Sequence, residues 1–316
     1  LTTDRLLERF RQGDQRACAR VVSLVEDEDK QAPELLDRLY PATGRAWRIG
    51  VTGPPGAGKS TLVERVARLF REEDRTVGIV AVDPTSPFSG GAILGDRVRM
   101  PSLFTDPGVF IRSMASRGGL GGLALRTTEV CDVLDAFGRD IIIIETVGVG
   151  QIELDVARAA QTTVVVLVPE SGDAVQVMKA GLMEIGEVFC VNKADRQGSD
   201  RLVVEVESML NLRARLDDWR PPVVRTAATT GEGLTELLAA LASHRIHLDG
   251  TGRLAARRRE TVRNAVVELV EERLRRNVWQ QAAVSALLDA AVAKVLAGSS
   301  TPYRAAGEIL KMVEAD

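Results

Sequence analysis

The stretch Gly53-Pro54-Pro55-Gly56-Ala57-Gly58-Lys59-Ser60, followed by Thr61, has the form G-x-x-x-x-G-K-[ST]. The apolar run Trp47–Val51 precedes it, and Leu62, Val66 and Leu69 follow at helical spacing. A strand, a glycine-rich turn and a helix in that order form a phosphate-binding loop. The glycines let successive backbone N–H groups turn toward one anion, and the helix N-terminus adds partial positive charge. In such a loop Lys59 reaches the β- and γ-phosphates and the Ser60 hydroxyl is a Mg²⁺ ligand. A chain built around this motif is expected to be an α/β protein.

The rest of the chain agrees with that expectation. Unbroken or nearly unbroken apolar runs predict strands over Trp47–Val51, Val77–Val82, Val109–Met114, Ile141–Ile144, Thr163–Val168, Val188–Val191 and Pro222–Arg225, with helical patterns between most of them. Such runs mark strands buried on both faces. The predicted fold is a doubly wound, mostly parallel sheet, whose ligands sit beyond the carboxyl ends of the strands. Residues 1–46 read as an N-terminal helical segment with apolar sets Leu6/Leu7/Phe10, Ala17/Val21/Leu24/Val25 and Leu35/Leu36/Leu39, ended by Tyr40-Pro41. Residues 47–248 form the nucleotide-binding domain. Residues 249–316, after breakers at Gly250 and Gly252, read as helices over 253–277, 278–296 and 303–313, with Pro302 at a helix start. The stripe Val266/Leu269/Val270/Leu274 must be buried on the sheet domain or on a second subunit.

Composition narrows the partners. A net charge of −3 gives no electrostatic footprint for nucleic acid, and 4% aromatic residues leave little for a base-stacking surface. No apolar run approaches a membrane span. The start, Leu1-Thr2-Thr3-Asp4-Arg5, does not look like a signal peptide, so a cytoplasmic protein is expected. Cys18, Cys131 and Cys190 are scattered and read as reduced core thiols. His244 and His247, three apart on one helix face, are a conceivable metal pair, with a surface helix end the better reading; Glu26–Asp29 reads as a solvated turn, and Arg257–Arg259 as a solvated helix face more than an anion site.

Three further segments carry chemistry. After the second predicted strand come Asp83-Pro84-Thr85-Ser86-Pro87-Phe88-Ser89-Gly90-Gly91 and Gly95-Asp96-Arg97. Because Mg²⁺ takes oxygen ligands and keeps several waters, Asp83 and Asp96 are candidates for metal or water positioning. Ile141–Ile144 leads into Glu145-Thr146-Val147-Gly148, an acid at a strand tip with a glycine three residues on. There Glu145 faces the metal and the Gly148 N–H meets the γ-phosphate. Val149 follows where many GTPases have a water-orienting Gln, so slow, partner-completed hydrolysis is expected. Val188–Val191 leads into Asn192-Lys193-Ala194-Asp195, an N-K-x-D motif. The Asp195 carboxylate can accept both guanine N1–H and the 2-amino group, a donor pair that adenine lacks, while Asn192 braces the loop and the Lys193 stem covers the base. The last loop, Ala227-Ala228-Thr229, offers backbone groups to the base.

With these residues in view the chain resembles the MeaB/ArgK-type P-loop GTPases, a metallochaperone-like branch that includes the human cobalamin-disorder A protein. The resemblance rests on residues 51–61, 82–91, 93–97, 145–151 and 192–195, with Gly172-Asp173, Gln176, Lys179-Ala180-Gly181 and Met183-Glu184-Ile185, and extends to Leu39-Tyr40-Pro41 and Pro302-Tyr303-Arg304. Its Pro-Phe-Ser-Gly-Gly and Glu-Thr-Val-Gly-Val-Gly-Gln blocks are specific to that family, whereas the phosphate loop is not. The resemblance implies a P-loop GTPase using GTP/GDP and Mg²⁺, with no cobalamin site of its own and a C-terminal helical dimerisation arm that makes it a homodimer. It implies a chaperone of an adenosylcobalamin-dependent acyl-CoA mutase, usually methylmalonyl-CoA mutase, with an adenosyltransferase as a further partner. It assigns residues 170–181 to a switch that meets the mutase, and Gln176 and Lys179 to catalytic duty there. Ile152 departs from the pattern, standing where many members have Ser. Three other readings remain: a kinase or ATPase of a periplasmic binding-protein transport system, a nickel-delivery GTPase, which would need clustered Cys/His ligands, and a non-enzymatic binding module.

Overall fold

The computed structural model describes residues 2–84, 100–116, 122–146, 152–169, 181–212 and 218–314. The chain divides into two compact units, Leu1–Thr261 and Val262–Asp316. The first is built on β1 (Trp47–Thr52), β2 (Val77–Pro84), β3 (Val109–Ser116), β4 (Ile141–Thr146), β5 (Thr162–Leu167), β6 (Val188–Val191) and β7 (Val223–Arg225). These pair in the order β3-β2-β4-β1-β5-β6-β7, and every pairing among them is parallel. Each predicted strand is present. β1 lies between β4 and β5: the chain runs from β1 to β2 and the edge strand β3, returns to β4 beside β1, and only then crosses to β5, β6 and β7 on the other side. That reversal is the switch point where a doubly wound sheet opens a crevice.

The side-chain period of the strands sorts the helices. In β4, Ile142 and Ile144 enter one core while Ile141 and Ile143 enter the other. The second core is closed by α4 (Lys59–Glu72), through Leu62, Val63, Val66 and Phe70, and by α9 (Leu234–Gly250), through Leu237 and Leu241. The first is closed by α5 (Gly122–Ala136) and α6 (Ile152–Ala159), over which lie α1 (Thr3–Arg11), α2 (Gln15–Glu26) and α3 (Ala32–Leu39). Leu7, Phe10, Val21 and Leu35 of those N-terminal helices are fully or almost fully buried there. The short α7 (Leu182–Ile185) and α8 (Ser199–Leu212) cover the β5–β6 side around Phe189 and Leu202.

One carboxylate fixes the N-terminal helices to the sheet. Asp135, on α5, accepts the backbone N–H groups of Gly44, Arg45 and Ala46 at 2.8, 3.1 and 3.0 Å. Arg48, in β1, donates to Asp132 one turn earlier at 2.6 Å. Three otherwise unpaired donors in a connecting segment are thereby satisfied by one buried acid.

Three surface expectations give way in part; Asp27 and Glu28 do form an exposed turn. Glu26 lies at the end of α2 and takes the Arg112 guanidinium, with Nε at 2.9 Å, so it belongs to the packed interface and not to a solvated turn. His244 is buried: its Nδ1 lies 2.9 Å from the Thr162 hydroxyl, and Trp219 packs against both His244 and His247. In the basic run Arg257 is also engaged, while Arg259 is exposed as expected. Arg257 donates to the Gln161 carbonyl at 2.6 Å and pairs with Glu187 at 2.7 Å. Burial raises the Glu187 pKa, and the Arg257 charge opposes that rise. The three cysteines are free and buried, and burial pushes each thiol up to about 12.

α10 (Arg253–Trp279) starts after the turn at 251–252 and runs through Val278, so the next helix begins later than predicted, as α11 (Ala282–Leu296); α12 (Pro302–Glu314) begins on its proline. Within the second unit Val284, Ala291 and Ile309 are buried, while Val266, Leu269, Val270 and Leu274 are roughly half exposed. No helix among the described residues is long and apolar enough to cross a membrane.

The Asp135 clamp is testable. Asp135→Ala leaves three backbone donors without their acceptor and is expected to cost about 3 kcal/mol in urea unfolding. A loss under about 1 kcal/mol would show that water satisfies the 44–46 segment equally well.

Candidate nucleotide site

The carboxyl ends of β1, β4, β6 and β7 carry the chemistry-bearing residues. β1 ends at Thr52, whose hydroxyl accepts from the Thr146 hydroxyl of β4 at 3.3 Å. The chain then turns at Gly53 with φ +140°, so close to β5 that a Cβ would lie 2.1 Å from the Val166 carbonyl oxygen. Only glycine fits there. Gly58 caps α4 at φ +83°, and a Cβ on it would meet the Asn192 side-chain nitrogen at 2.5 Å. The buried Lys59 opens α4, and its Nζ donates to the Gly53 and Pro54 carbonyls at 2.7 and 3.0 Å, holding a cation across the loop at the helix N-terminus. Within this loop Ala57 is buried, while Pro55, Gly56 and Thr61 face outward.

Ser60 and Glu145, each a candidate Mg²⁺ ligand in the sequence, lie side by side. The Ser60 hydroxyl donates to Glu145 Oε1 at 2.6 Å, and Glu145 is buried at the end of β4. β4 runs to Thr146, so the acid lies within the strand and not just beyond it. Two hard oxygens side by side suit Mg²⁺. No cluster of three His, Cys, Asp or Glu able to hold a metal occurs among the described residues. Mg²⁺ ordinarily keeps several waters and takes phosphate oxygens beside one or two protein oxygens, so a third acid is not required of the described residues.

Asn192 joins three loops. Its Nδ2 donates to the Ala57 carbonyl of the phosphate loop at 2.8 Å. Its Oδ1 accepts from the Ala228 N–H and the Thr226 hydroxyl, both at 3.1 Å. Its backbone N–H donates to Leu167 of β5 at 2.8 Å. Lys193 follows at φ +57°, a left-handed conformation that costs a non-glycine residue of order 1 kcal/mol or more. The surrounding bonds enforce it: Ala194 N–H donates to Thr226 O and Arg196 N–H to Lys193 O, both at 2.9 Å. Asp195 is left exposed at the rim. Ala227 and Ala228 are buried and Thr229 is exposed. Arg65 of α4 donates to the Ala228 and Thr229 carbonyls at 3.2 and 2.9 Å.

The structure thus brings together residues 53–61, Glu145, Asn192–Asp195 and Ala227–Thr229. The backbone of Asp83 lies in β2 opposite Ala115, at the same end of the sheet, and nothing is described of its side chain. Asp96, Gly148, Gln176 and Lys179 lie outside the described residues, as does the Ile152 side chain. Thr226 and Arg65 are additions that sequence reasoning misses. A Thr after a strand and an Arg on a helix face have nothing in their spacing that separates them from ordinary surface residues.

Comparison with known proteins shows the family. The family model described as "Methylmalonyl Co-A mutase-associated GTPase MeaB" matches residues 18–283. A Pyrococcus abyssi protein that carries a GTPase name is 46% identical over 313 residues, 98% of this chain and 96% of its own. GTPase ArgK of Escherichia coli is 38% identical over 78% of this chain and 77% of its own length. The mouse mitochondrial methylmalonic aciduria type A homolog is 35% identical over 94% of this chain and 76% of its own. The crystal structure of a protein described as a LAO/AO transport system kinase superposes with a TM-score of 0.75 at 27% identity, covering 99% of this chain and 98% of that one. Sequence, fold and site geometry together make the chain a P-loop GTP hydrolase that belongs to the MeaB family of methylmalonyl-CoA-mutase-associated GTPases.

Proposed function

We propose that the protein is a GTPase chaperone of an adenosylcobalamin-dependent acyl-CoA mutase, methylmalonyl-CoA mutase first among the candidates, and that GTP turnover times cofactor loading, protection and reactivation. The observation that carries the nucleotide half is the Asn192 side chain, which ties the N-K-x-D loop to the phosphate loop. The mutase half is supported by the family description and by the name of the mouse relative.

In this reading Asp195 accepts guanine N1–H and the 2-amino group, and Ala227–Thr229 supply backbone contacts. Lys59 neutralises the β- and γ-phosphates, whose oxygens also meet N–H groups of residues 53–61 and of Gly148. Ser60 and Glu145 hold Mg²⁺, with Asp83 and Asp96 as the remaining candidates. Bound there, the ion supplies positive charge to the phosphate oxygens. Gln176 and Lys179 act from the mutase-facing switch. The half-exposed stripe of α10 is covered by a second copy of the chain, which makes residues 249–316 a dimerisation arm. Three buried thiols without a disulfide suit the reducing cytoplasm.

Three measurements test the proposal. Lys59→Ala is expected to lower GTP turnover at least about 100-fold, since the transferring phosphoryl group loses its main positive partner. Turnover at the parental rate would remove the phosphate loop from the mechanism. Asp195→Asn is expected to weaken GTP binding about tenfold or more with little change in melting temperature, because it trades two charge-assisted bonds for neutral ones and sets an amide N–H₂ against the base's own donors. Unchanged affinity would undo the guanine assignment. Finally, the purified mutase is expected to co-purify with the chain and to raise its GTP turnover. No complex and no rate change would sink the chaperone reading. γ-Phosphate label on a protein hydroxyl, in place of free phosphate, would favour the kinase activity for which the similar LAO/AO transport protein is named.

A further inference from the structure

The loop that follows β7 consumes nearly all of its own donors. Ala227 N–H donates to Glu232 O at 3.0 Å, Thr230 N–H and Gly231 N–H to Ala227 O at 3.1 and 2.9 Å, and Ala228 N–H to Asn192 Oδ1 at 3.1 Å. Among the described residues the Thr229 N–H takes no partner. In a trans peptide the C=O of one residue and the N–H of the next point in opposite directions. Whatever holds the Ala228 carbonyl therefore aims the Thr229 N–H.

Arg65 holds that carbonyl. Its Nε donates to Ala228 O at 3.2 Å and a terminal nitrogen donates to Thr229 O at 2.9 Å, so one planar guanidinium grips two successive peptides. The second peptide is fixed from its far side too, because Thr230 N–H is bonded to Ala227 O. Arg68, one turn further along α4, spends its charge on Glu64 and Ser102, whereas Arg65 spends its own on backbone carbonyls. α4 also begins with Lys59 and Ser60, so the helix that opens at the phosphates reaches across to the base-side loop.

We infer that Arg65 is a positioning residue for base selection: by gripping the Ala228 and Thr229 carbonyls it aims the Thr229 N–H as a donor toward position 6 of the purine. A donor there is satisfied by the 6-oxo group of guanine or hypoxanthine and opposed by the 6-amino group of adenine. The inference rests on the guanine reading of Asp195 and on the backbone contacts proposed for Ala227–Thr229, and it adds the residue that orients one of those contacts.

The test measures the affinities of GDP, IDP, 6-thio-GDP and ADP for the parent protein, Arg65→Ala and Arg65→Lys, with melting temperatures as a check on folding. GDP and IDP share the 6-oxo acceptor, whereas 6-thio-GDP keeps the groups that Asp195 reads and presents a weaker sulfur acceptor. Arg65→Ala is expected to weaken GDP and IDP each about tenfold and 6-thio-GDP less than about threefold. Arg65→Lys, able to grip one carbonyl, is expected to fall between, and its ratios decide the matter if Arg65→Ala does not fold. Equal losses for all three nucleotides, the signature of a merely structural residue, would overturn the inference, as would unchanged GDP binding. A parent that binds ADP as well as GDP would overturn the guanine reading, and this inference with it. A parent that discriminates while Arg65→Ala keeps the full GDP to 6-thio-GDP ratio would overturn only the role of Arg65.

Discussion

The nucleotide site depends on the side chain of one buried amide, Asn192. Its two ends are chemically different, and each faces a backbone group that only that end can satisfy. The Ala57 carbonyl needs a donor and the Ala228 N–H needs an acceptor. The orientation of the amide is therefore set by its surroundings, and a carboxylate or a hydrocarbon of the same size would leave at least one of the two unsatisfied. Because Gly58 has no Cβ, the side chain can lie against the phosphate loop. The loop that turns around phosphate and the loops that read the base are thus parts of one hydrogen-bonded unit, and each would be placed less accurately without the others.

Much of this is legible in the sequence because each signal is local. Unbroken Val/Ile runs mark the strands, and the order of two short motifs along the chain points to the ligand. Ser60 and Glu145 can each be picked out as a metal candidate, but their pairing depends on the adjacency of β1 and β4, which the structure supplies. What stays hidden are contacts whose partners lie far apart in the chain. Arg65 binds carbonyls more than 160 residues away, and Asp135 takes N–H groups about 90 residues upstream. Neither backbone partner has a side-chain identity to read. An Arg or an Asp on an amphipathic helix looks the same whether it points to water or closes a loop.

The same difficulty governs the amino end of the sheet. Singly, His244, Trp219, Glu187 and Arg257 are indistinguishable in sequence from polar residues on helix surfaces and in turns. Together they form a half-buried polar layer under β5 and β6, with His244 its fully buried member: Trp219 donates to the Glu187 carbonyl at 2.9 Å, and the Glu187 carboxylate pairs with Arg257 and accepts from Thr163 N–H. A buried carboxylate with its pKa raised by desolvation is tolerable only with such partners. This layer lies at the opposite end of the strands from the nucleotide residues, so it stabilises the sheet and leaves the chemistry to the other rim.

The base-reading and phosphate-anchoring parts of the nucleotide rim are held as one piece. On the β1, β6 and β7 side, Gly53, Gly58, Asn192, Thr226 and Arg65 lock the loops to one another and to α4, whose face of Leu62, Val63, Val66, Ala67 and Phe70 is buried in the core. Moving α4 would expose several large apolar side chains at roughly 1.5–3 kcal/mol each, more than replacing one phosphate group by another readily supplies. The base-reading and phosphate-anchoring groups therefore suit a fixed platform that identifies the nucleotide. A signal of its hydrolysis is better carried elsewhere on the rim. The segment that resemblance assigns to a mutase-facing switch, 170–181, comes after β5 in the chain. A fixed platform of this kind would hold the base and the inner phosphates of GDP and GTP alike.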